Sequence, residues 1–475
     1  MLATRADSDD PAVITDAGTW TGRELIRRAA GAADFLDNAD ATAGRPVVAL
    51  LSSTPQAFAL SIGAAATDRT LAPLGPKLTV SELAPIVSNL DAEVIVTEPA
   101  FELLAIEVAA RTGCRVAVLD VVAASARELS FDIAGDRPAA ILHTSGTTGL
   151  PKAVFYRQDR LAARTRVNAQ TVMLGPGARY ASASPFHHIA GIGMLFVALG
   201  SGAALVSLPK FDLDAWDGLA ARGATHVLIV PTMVEMLLDA GRFSMPGLRV
   251  LQYGAASIHP DTLARALAAM PGVNFVNLYG QTEGSPITWL SPSDHVLAAS
   301  GRPELLSSVG RAAPGVEVII EHPDAAGVGE VVARGEHLFK PDADGWLRTG
   351  DLGRITADGY LYLSGRRGDK IIRGGENVYP LEVETVLVQH PDVAEACVFG
   401  VADRTWGEVV AAALVPRPDG VIDFEAIRAF ARERLAGFKV PTVWEQVNAL
   451  PRNMAGKVLR RDLIAAHTPA PPASL

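Results

Sequence analysis

The sequence predicts an α/β protein with an α+β appendage. It should comprise a large N-terminal domain of parallel and mixed sheets flanked by helices, a small β subdomain, and a small α+β C-terminal domain. Three observations predict this. Continuous apolar, β-branched runs alternate with helical patterns as far as residue 280, as parallel strands covered on both faces do. Around 301–365 the texture changes to short runs punctuated by Gly, Pro and Asp. Beyond the polar segment Gly365-Arg-Arg-Gly-Asp369, a compact stretch carries its own helix and strand signals.

Thr21-Gly-Arg-Glu24 reads as a capping box opening a helix through Leu36, and 46–51 (PVVALL) follows as a buried strand. Further strands are expected at 93–98, 115–120, 139–143, 226–231, 249–254 and 273–280. The run from Ile189 to Leu208 lacks any charge and is long enough to span a bilayer. Gly191, Gly193, Gly200 and Gly202 interrupt it, so it reads as a buried helix followed by a core strand at 203–208. In the C-terminal stretch a helix should start at Pro380, with strands near 393–399 and 409–415. Another helix should run from Asp423, with Ile427, Phe430, Ala431 and Leu435 on one face. The expected division is 1–366 (β subdomain about 301–365) and 369–475, with a hinge at 366–369.

A chain of 475 residues, 49% hydrophobic and 20% charged, has ample core and needs no covalent staple. Cys114 and Cys397 form no disulfide framework or metal-ligand spacing, and the first residues lack an apolar signal region. A cytoplasmic protein without a transmembrane segment is expected. The net charge of −10 argues against a nucleic-acid partner, while leaving room for small anions met by a local positive pocket.

The sharpest chemical signal is 141–153, ILHTSGTTGLPKA. Gly146 and Gly149 permit a tight loop whose backbone N–H groups turn inward. Thr144, Ser145, Thr147 and Thr148 add hydroxyl donors, and Lys152 adds a positive charge. A loop of this kind leaving an apolar strand suits phosphate oxygens. It is not a Walker loop, because Pro151 precedes the lysine and Ala153 follows it.

This segment resembles the signature loop of the acyl-adenylate-forming superfamily: acyl- and aryl-CoA synthetases, adenylation domains and luciferases. The resemblance continues in order along nearly the whole chain. It runs through SPFHHIAG at 184–191, Tyr253-Gly-Ala-Ala256, Tyr279-Gly-Gln-Thr-Glu283, Arg348-Thr-Gly-Asp351, the 365–369 junction and PRNMAGKVLRRDL at 451–463. Ala153 stands where relatives usually have glycine, and the 334–344 loop is shorter than usual.

The resemblance implies carboxylate attack on the α-phosphate of ATP, followed by transfer of the acyl group to a thiol. It assigns catalysis to Lys457, Thr282, Glu283 and His188, with Glu283 on Mg²⁺. ATP would be held by 144–149 (Thr144, Ser145, Gly146, Thr147, Thr148, Gly149) and Lys152. Gly254, Ala255, Ala256, Tyr279, Gly280, Asp351 and Arg366 would complete that site. The acyl pocket would involve His188, Ala190, Gly191, Tyr253 and Gly254, with the small residues Ala190, Gly191, Gly193 and Ala255 leaving room for an apolar body. CoA or pantetheine would meet Gly374, Gly375, Glu376, Trp406, Phe438 and Lys439, and Gly368 would be the pivot of a mobile C-terminal domain. His143, by contrast, reads as a core histidine.

The leading expectation is an AMP-forming acyl-CoA synthetase using ATP, Mg²⁺ and CoA on a small carboxylic acid, closest in motif style to aryl- and medium-chain acyl-CoA ligases. A freestanding enzyme charging an acyl carrier protein is the alternative. Beyond these stand a luciferase-like oxidase and a non-catalytic nucleotide binder. Val440 stands where relatives often carry a base that meets CoA phosphate, which thins the charge available to CoA; either Arg404 and Lys439 would compensate, or the acceptor would be a carrier-protein phosphopantetheine.

Overall fold

The computed structural model describes residues 5–144, 151–256, 258–339, 342–373, 376–418, 420–452 and 458–467. The expected site residues at 145–149, Gly374, Gly375 and Lys457 lie outside the described residues.

The first helix, Gly22–Asn38, begins where Thr21 accepts a hydrogen bond from the Glu24 N–H at 3.2 Å. Only this half of the expected capping box is made. The Glu24 carboxylate turns instead to Arg28, one turn along, at 2.8 Å. The opposite face (Leu25, Ala29, Ala32, Leu36) is buried, and its alanines let helix Pro55–Ala66 approach so closely that Gly63 lies on the Ala29 carbonyl.

Helix Pro55–Ala66 packs on a six-stranded sheet ordered Arg115–Val118, Val94–Thr97, Pro46–Leu50, Thr70–Pro73, Pro138–Thr144 and Lys152–Arg157. All its neighbours are parallel except the last two, which form an antiparallel hairpin. A nine-stranded sheet follows the order Arg311–Ala312, Gly284–Leu290, Asn274–Gln281, Val250–Gly254, His226–Ile229, Arg179–Ser182, Ala204–Val206, Pro11–Thr15 and Gly18–Thr21. From Pro11–Thr15 to Asn274–Gln281 it is parallel, and antiparallel strands close both edges. Every residue of Val250–Gly254 is buried, which explains why these strands read as unbroken apolar runs.

The uncharged run becomes a wide turn at Ile189–Gly193, helix Met194–Gly200 and strand Ala204–Val206. Among the described residues no helix is long and apolar enough to cross a membrane.

By internal contacts the chain divides into two compact units: Met1–Glu317 with Arg334–Leu347, and Val318–Ala333 with Arg348–Leu475. The strands expected as a β subdomain, Val316–Glu321, Gly329–Gly335, Leu347–Ile355 and Leu361–Arg366, form one four-stranded sheet. Most of that sheet belongs to the second unit, and residues 366–369 fall inside that unit.

The rest of the second unit is built on the long hairpin of Val393–Asp403 and Gly407–Pro416. Helix Pro380–Leu387 starts at its proline, and Phe424–Arg432 starts after Asp423, whose carboxylate accepts from the N–H groups of Glu425 (3.0 Å) and Ala426 (3.2 Å). Ile427 and Ala431 are buried, Phe430 stands edge-on to His390, and Leu435 joins the same core from beyond the helix end. Asp423→Ala should therefore cost about 1 kcal/mol of stability without altering the fold. Chemical denaturation of the full chain checks it, and an unchanged midpoint would show the cap to be idle.

Candidate functional site

Parallel strands bring all their carboxyl ends to one edge of a sheet, where ligands of open α/β folds bind. In the nine-stranded sheet that edge collects the segments after Ser182, Gly254 and Tyr279, because these strands pair in parallel through His226–Ile229. Three separate sequence motifs therefore meet there.

The backbone of Tyr253-Gly-Ala-Ala256 is shaped by its neighbour. A Cβ at Gly254 would come within 2.7 Å of the Leu278 carbonyl oxygen, so only glycine fits. Ala255 follows in the left-handed region at φ 67°, unusual for a residue with a side chain. Ala255 and Ala256 are exposed, and they present backbone rather than bulk to a ligand. Tyr253 is buried. His295 donates from Nδ1 to the Ser291 carbonyl at 2.7 Å, so its Nε2 is an acceptor and the Tyr253 hydroxyl donates to it at 2.8 Å. The Tyr253 hydroxyl is thus spent inside the fold.

Tyr279 to Glu283 are half-buried, while Leu278 and Gly284 on either side are buried. The motif is an accessible step between two core strands. Its backbone is gripped from below. The Tyr156 hydroxyl donates to the Thr282 carbonyl, and the Phe339 N–H donates to the Glu283 carbonyl at 2.6 Å. The Tyr156 and Phe339 rings lie against each other tilted by 48°, with centroids 3.8 Å apart.

Tyr156 belongs to the hairpin of Pro138–Thr144 and Lys152–Arg157, which flanks the segment expected to hold phosphate. In that hairpin Thr144 and Lys152 are cross-strand partners. Lys152, Val154 and Tyr156 alternate onto one face, with Lys152 exposed and the other two buried. The Tyr156–Thr282 bond thus fixes the strand bearing Lys152 to the 279–283 motif.

The segment after Ser182 folds into a tight turn. Ser182 Oγ donates to the Ala190 carbonyl at 2.8 Å, and the His188 N–H donates to the Pro185 carbonyl at 3.0 Å. The space expected at Gly191 and Gly193 is already filled. A side chain at Gly191 would strike the Pro185 carbonyl, and one at Gly193 would strike the Arg164 guanidinium. These glycines serve close packing, so the room read from them as part of an acyl pocket is not there. His188 and Ala190 remain partly accessible. The His187 and His188 rings lie 4.3 Å apart, and His188 Nε2 is buried with no hydrogen-bond partner among the described residues. Burial pulls the His188 pKa down to about 4. It pulls His187 to about 3, with His188 and Lys77 adding to the effect. Burial likewise takes His143 to about 4.

Within the second unit, Asp351 and Arg366 are cross-strand neighbours, and the Arg366 Nε donates to Asp351 Oδ1 at 3.0 Å. Gly368 has no unusual φ, and a Cβ there would meet nothing within 4 Å. Trp406 is 51% exposed, and the Arg373 guanidinium lies 5.6 Å from its ring while donating to the Phe438 carbonyl at 2.8 Å. Glu376 is exposed, and Phe438 packs against the C-terminal core. Lys439 is committed to Glu382 at 2.5 Å. Arg460, three residues past Lys457, joins Asp369 (2.5 Å), Glu384 (2.6 Å) and the Val398 carbonyl (2.7 Å).

A family model described as AMP-binding enzyme matches residues 2–341, and a second, the AMP-binding enzyme C-terminal domain, matches 382–457. The chain belongs to the AMP-binding enzyme family, within the acyl-adenylate-forming superfamily.

This AMP-binding enzyme is 32% identical to the sulfoacetate–CoA ligase of Cupriavidus necator, over 95% of this chain and 91% of that one. It is also 32% identical to the fatty acid–[acyl-carrier-protein] ligase ScoC of Streptomyces coeruleorubidus, over 95% and 92%. Among solved structures it resembles the amide bond synthetase McbA from Marinactinospora thermotolerans, with a TM-score of 0.88, 30% identity, and 98% and 99% of the two chains covered. It likewise resembles the o-succinylbenzoate CoA synthetase MenE from Bacillus subtilis, solved with an acyl-adenylate intermediate, with a TM-score of 0.87, 28% identity and 97% of both chains covered.

Tyr156, Arg164, His337 and Phe339, all in contact with the backbone around the 279–283 motif or its flank, carry no local motif and were not singled out from sequence.

Buried histidines, His143, His187 and His188 among them, should limit the acid stability of this AMP-binding enzyme. Their pKa values are depressed in the fold, so the neutral form it requires is fully available above the unfolded value of 6.5. That contribution is lost as pH falls toward about 4, because the unfolded chain takes up protons first. The unfolding midpoint should be flat above pH 7 and fall between pH 6.5 and 4. His187→Asn with His188→Asn should make the fall shallower; an equally steep fall in that variant would contradict the assignment.

Proposed function

We propose that the protein activates a carboxylic acid with ATP, releasing pyrophosphate, and passes the acyl group to CoA. The observation that carries this reading is the bond from Tyr156 to the Thr282 carbonyl, which joins the hairpin of Thr144 and Lys152 to the Thr282–Glu283 motif.

A carboxylate and a triphosphate repel each other, so the first task is to cancel charge and the second is to stabilise charge growing on the α-phosphate in flight. Lys152 and the hydroxyl-rich loop hold the phosphates, Thr282 donates to the α-phosphate, and Tyr279 offers its ring to adenine. Asp351, oriented by Arg366, takes the ribose hydroxyls. Lys457 bridges the incoming carboxylate and the α-phosphate. A carboxylate oxygen bonds to α-phosphorus, the bond to the β-bridging oxygen breaks, and pyrophosphate leaves. The thiol sulfur then attacks the acyl carbonyl, the bond to AMP breaks, and the thiol proton goes to solvent.

Among the described residues no three acidic, histidine or cysteine side chains cluster as a self-sufficient metal site. Glu283 alone suits Mg²⁺, which prefers one or two carboxylates together with water and phosphate oxygens. Bound there, Mg²⁺ would neutralise phosphate charge.

For the second step the C-terminal part pivots near Gly368, where the open surroundings allow backbone rotation. Gly374 and Gly375 let a thin thiol arm pass Glu376, and the exposed Trp406 beside Arg373 offers CoA a flat ring and a cation. A carrier protein is the second reading, favoured by the Lys439–Glu382 pair and the burial of Val440. Both leave less positive charge for CoA phosphate. The carboxylic acid itself is small or apolar, bounded by the His188–Ala190 turn and the Tyr253–Gly254 backbone.

The test is exchange of labelled pyrophosphate into ATP across a panel of carboxylic acids. Lys457→Ala should lower this exchange by about 10²-fold or more, while thioester formation from supplied acyl-AMP stays near wild type. Equal loss of both, or wild-type silence across the panel, would contradict the reading. Competing CoA, a holo carrier protein and a simple amine for the same acyl-AMP identifies the acceptor.

A further inference from the structure

We infer that Arg164 is a positioning residue that ties the acyl-side turn at Ile189 to the Thr282–Glu283 motif, so that the two move as one body. The inference deepens the reading of the site as an adenylating centre and rests on it for its kinetic consequences, though not for its geometry.

Arg164 stands on helix Gln158–Thr171 and is only 2% exposed. Among the described residues no carboxylate pairs with it. Its fork is spent on backbone. Nε donates to the Ser285 carbonyl at 3.0 Å, and Nη1 and Nη2 reach the Ile189 carbonyl at 3.4 and 3.5 Å, with the Met194 sulfur at 3.6 Å. A buried guanidinium without a counter-ion is costly, and a chain that only needed to fill this volume would do so with an apolar residue. What a guanidinium adds is a rigid planar set of donors that can hold two carbonyls at once. One of these carbonyls lies next to His188, and the other lies two residues after Glu283.

The motif is held at more than this point. Within Thr282–Pro286 four carbonyls are occupied by groups from outside the strand pair. Thr282 accepts from the Tyr156 hydroxyl, Glu283 from the Phe339 N–H, Ser285 from Arg164, and Pro286 from His337 Nε2 at 2.8 Å. The carbonyl can only accept, so His337, which is 1% exposed, carries its proton on Nε2. There is no slack in the turn either. A Cβ at Gly280 would lie 2.6 Å from the Gly284 carbonyl oxygen, and one at Gly193 would collide with Arg164 itself. The side chains of Thr282 and Glu283 therefore project from a backbone fixed on its far side, and the fixing group is shared with the turn bearing His188. A carboxylate that shifts that turn shifts the metal-binding carboxylate with it.

The experiment uses the full chain. Arg164→Met removes the donors at similar length, and Arg164→Lys keeps the charge but cannot span both carbonyls. Hydrogen exchange is followed on peptides covering 186–193 and 279–287, together with the KM values for carboxylate and MgATP in pyrophosphate exchange. In Arg164→Met both peptides should exchange about tenfold faster, and both KM values should rise together by about tenfold. Arg164→Lys should show the same paired changes at smaller size, and it carries the test if the methionine variant fails to fold. His337→Leu should loosen 279–287 alone, and His337→Gln, which restores an N–H donor, should reverse most of that effect. Loosening of only one peptide in the Arg164 variants, or a lowered melting temperature with both KM values unchanged, would overturn the inference. An inactive wild type would count against the adenylating reading, and the exchange measurements would still decide the link.

Discussion

The first unit depends on one register: Val250–Gly254 lying parallel to Asn274–Gln281, with Gly254 directly beside Leu278. A slip of one residue would invert every side chain of a strand buried on both faces. It would also move the Leu278 carbonyl away from the single position where a glycine admits it. With the register fixed, the chain leaves one strand through the left-handed Ala255 and the other through Tyr279, at the same edge of the sheet. The core and the site are therefore not separate achievements, because the apolar pairing that stabilises the sheet also delivers the motifs to one place.

Charge then explains how a protein of net charge −10 can handle anionic substrates. The surface arginines are largely neutralised locally, as Arg127 is by Asp34 and Asp37, and Arg242 by Asp214 and Asp217. Other cations have no carboxylate partner among the described residues. Lys152 is exposed at the end of its hairpin, and Arg164 is buried with carbonyl partners. The neutral histidines beside the acyl-side turn contribute no competing charge at physiological pH, since burial keeps His187 and His188 far below it. The same economy appears in the second unit, where Arg460 gathers Asp369 and Glu384 into one network.

Most of the fold was legible because its signals are local. Apolar runs, a proline at the start of Pro380–Leu387 and an aspartate before Phe424–Arg432 each act within a turn or a strand. The 279–283 motif and its neighbours were legible for the same reason. What escaped was long-range. Tyr156 meets Thr282 across 126 positions, Arg164 meets Ser285 across 121, and His337 meets Pro286 across 51. No spacing rule encodes such pairs. Gly191 and Gly193 show the converse error: a missing side chain was read as open space, whereas a carbonyl and a guanidinium already fill it. Likewise Glu24, expected to close a capping box, was drawn off by Arg28, because an arginine one turn along offers it a charged partner.

The central claim is that a carboxylate oxygen bonds to the α-phosphate of ATP. Turnover of a carboxylic acid labelled with ¹⁸O in its carboxyl group tests this directly by mass spectrometry of the products. The account predicts label in AMP, with none in inorganic phosphate or pyrophosphate. Label in inorganic phosphate with ADP as the nucleotide product would mean attack at the terminal phosphate, and would contradict it.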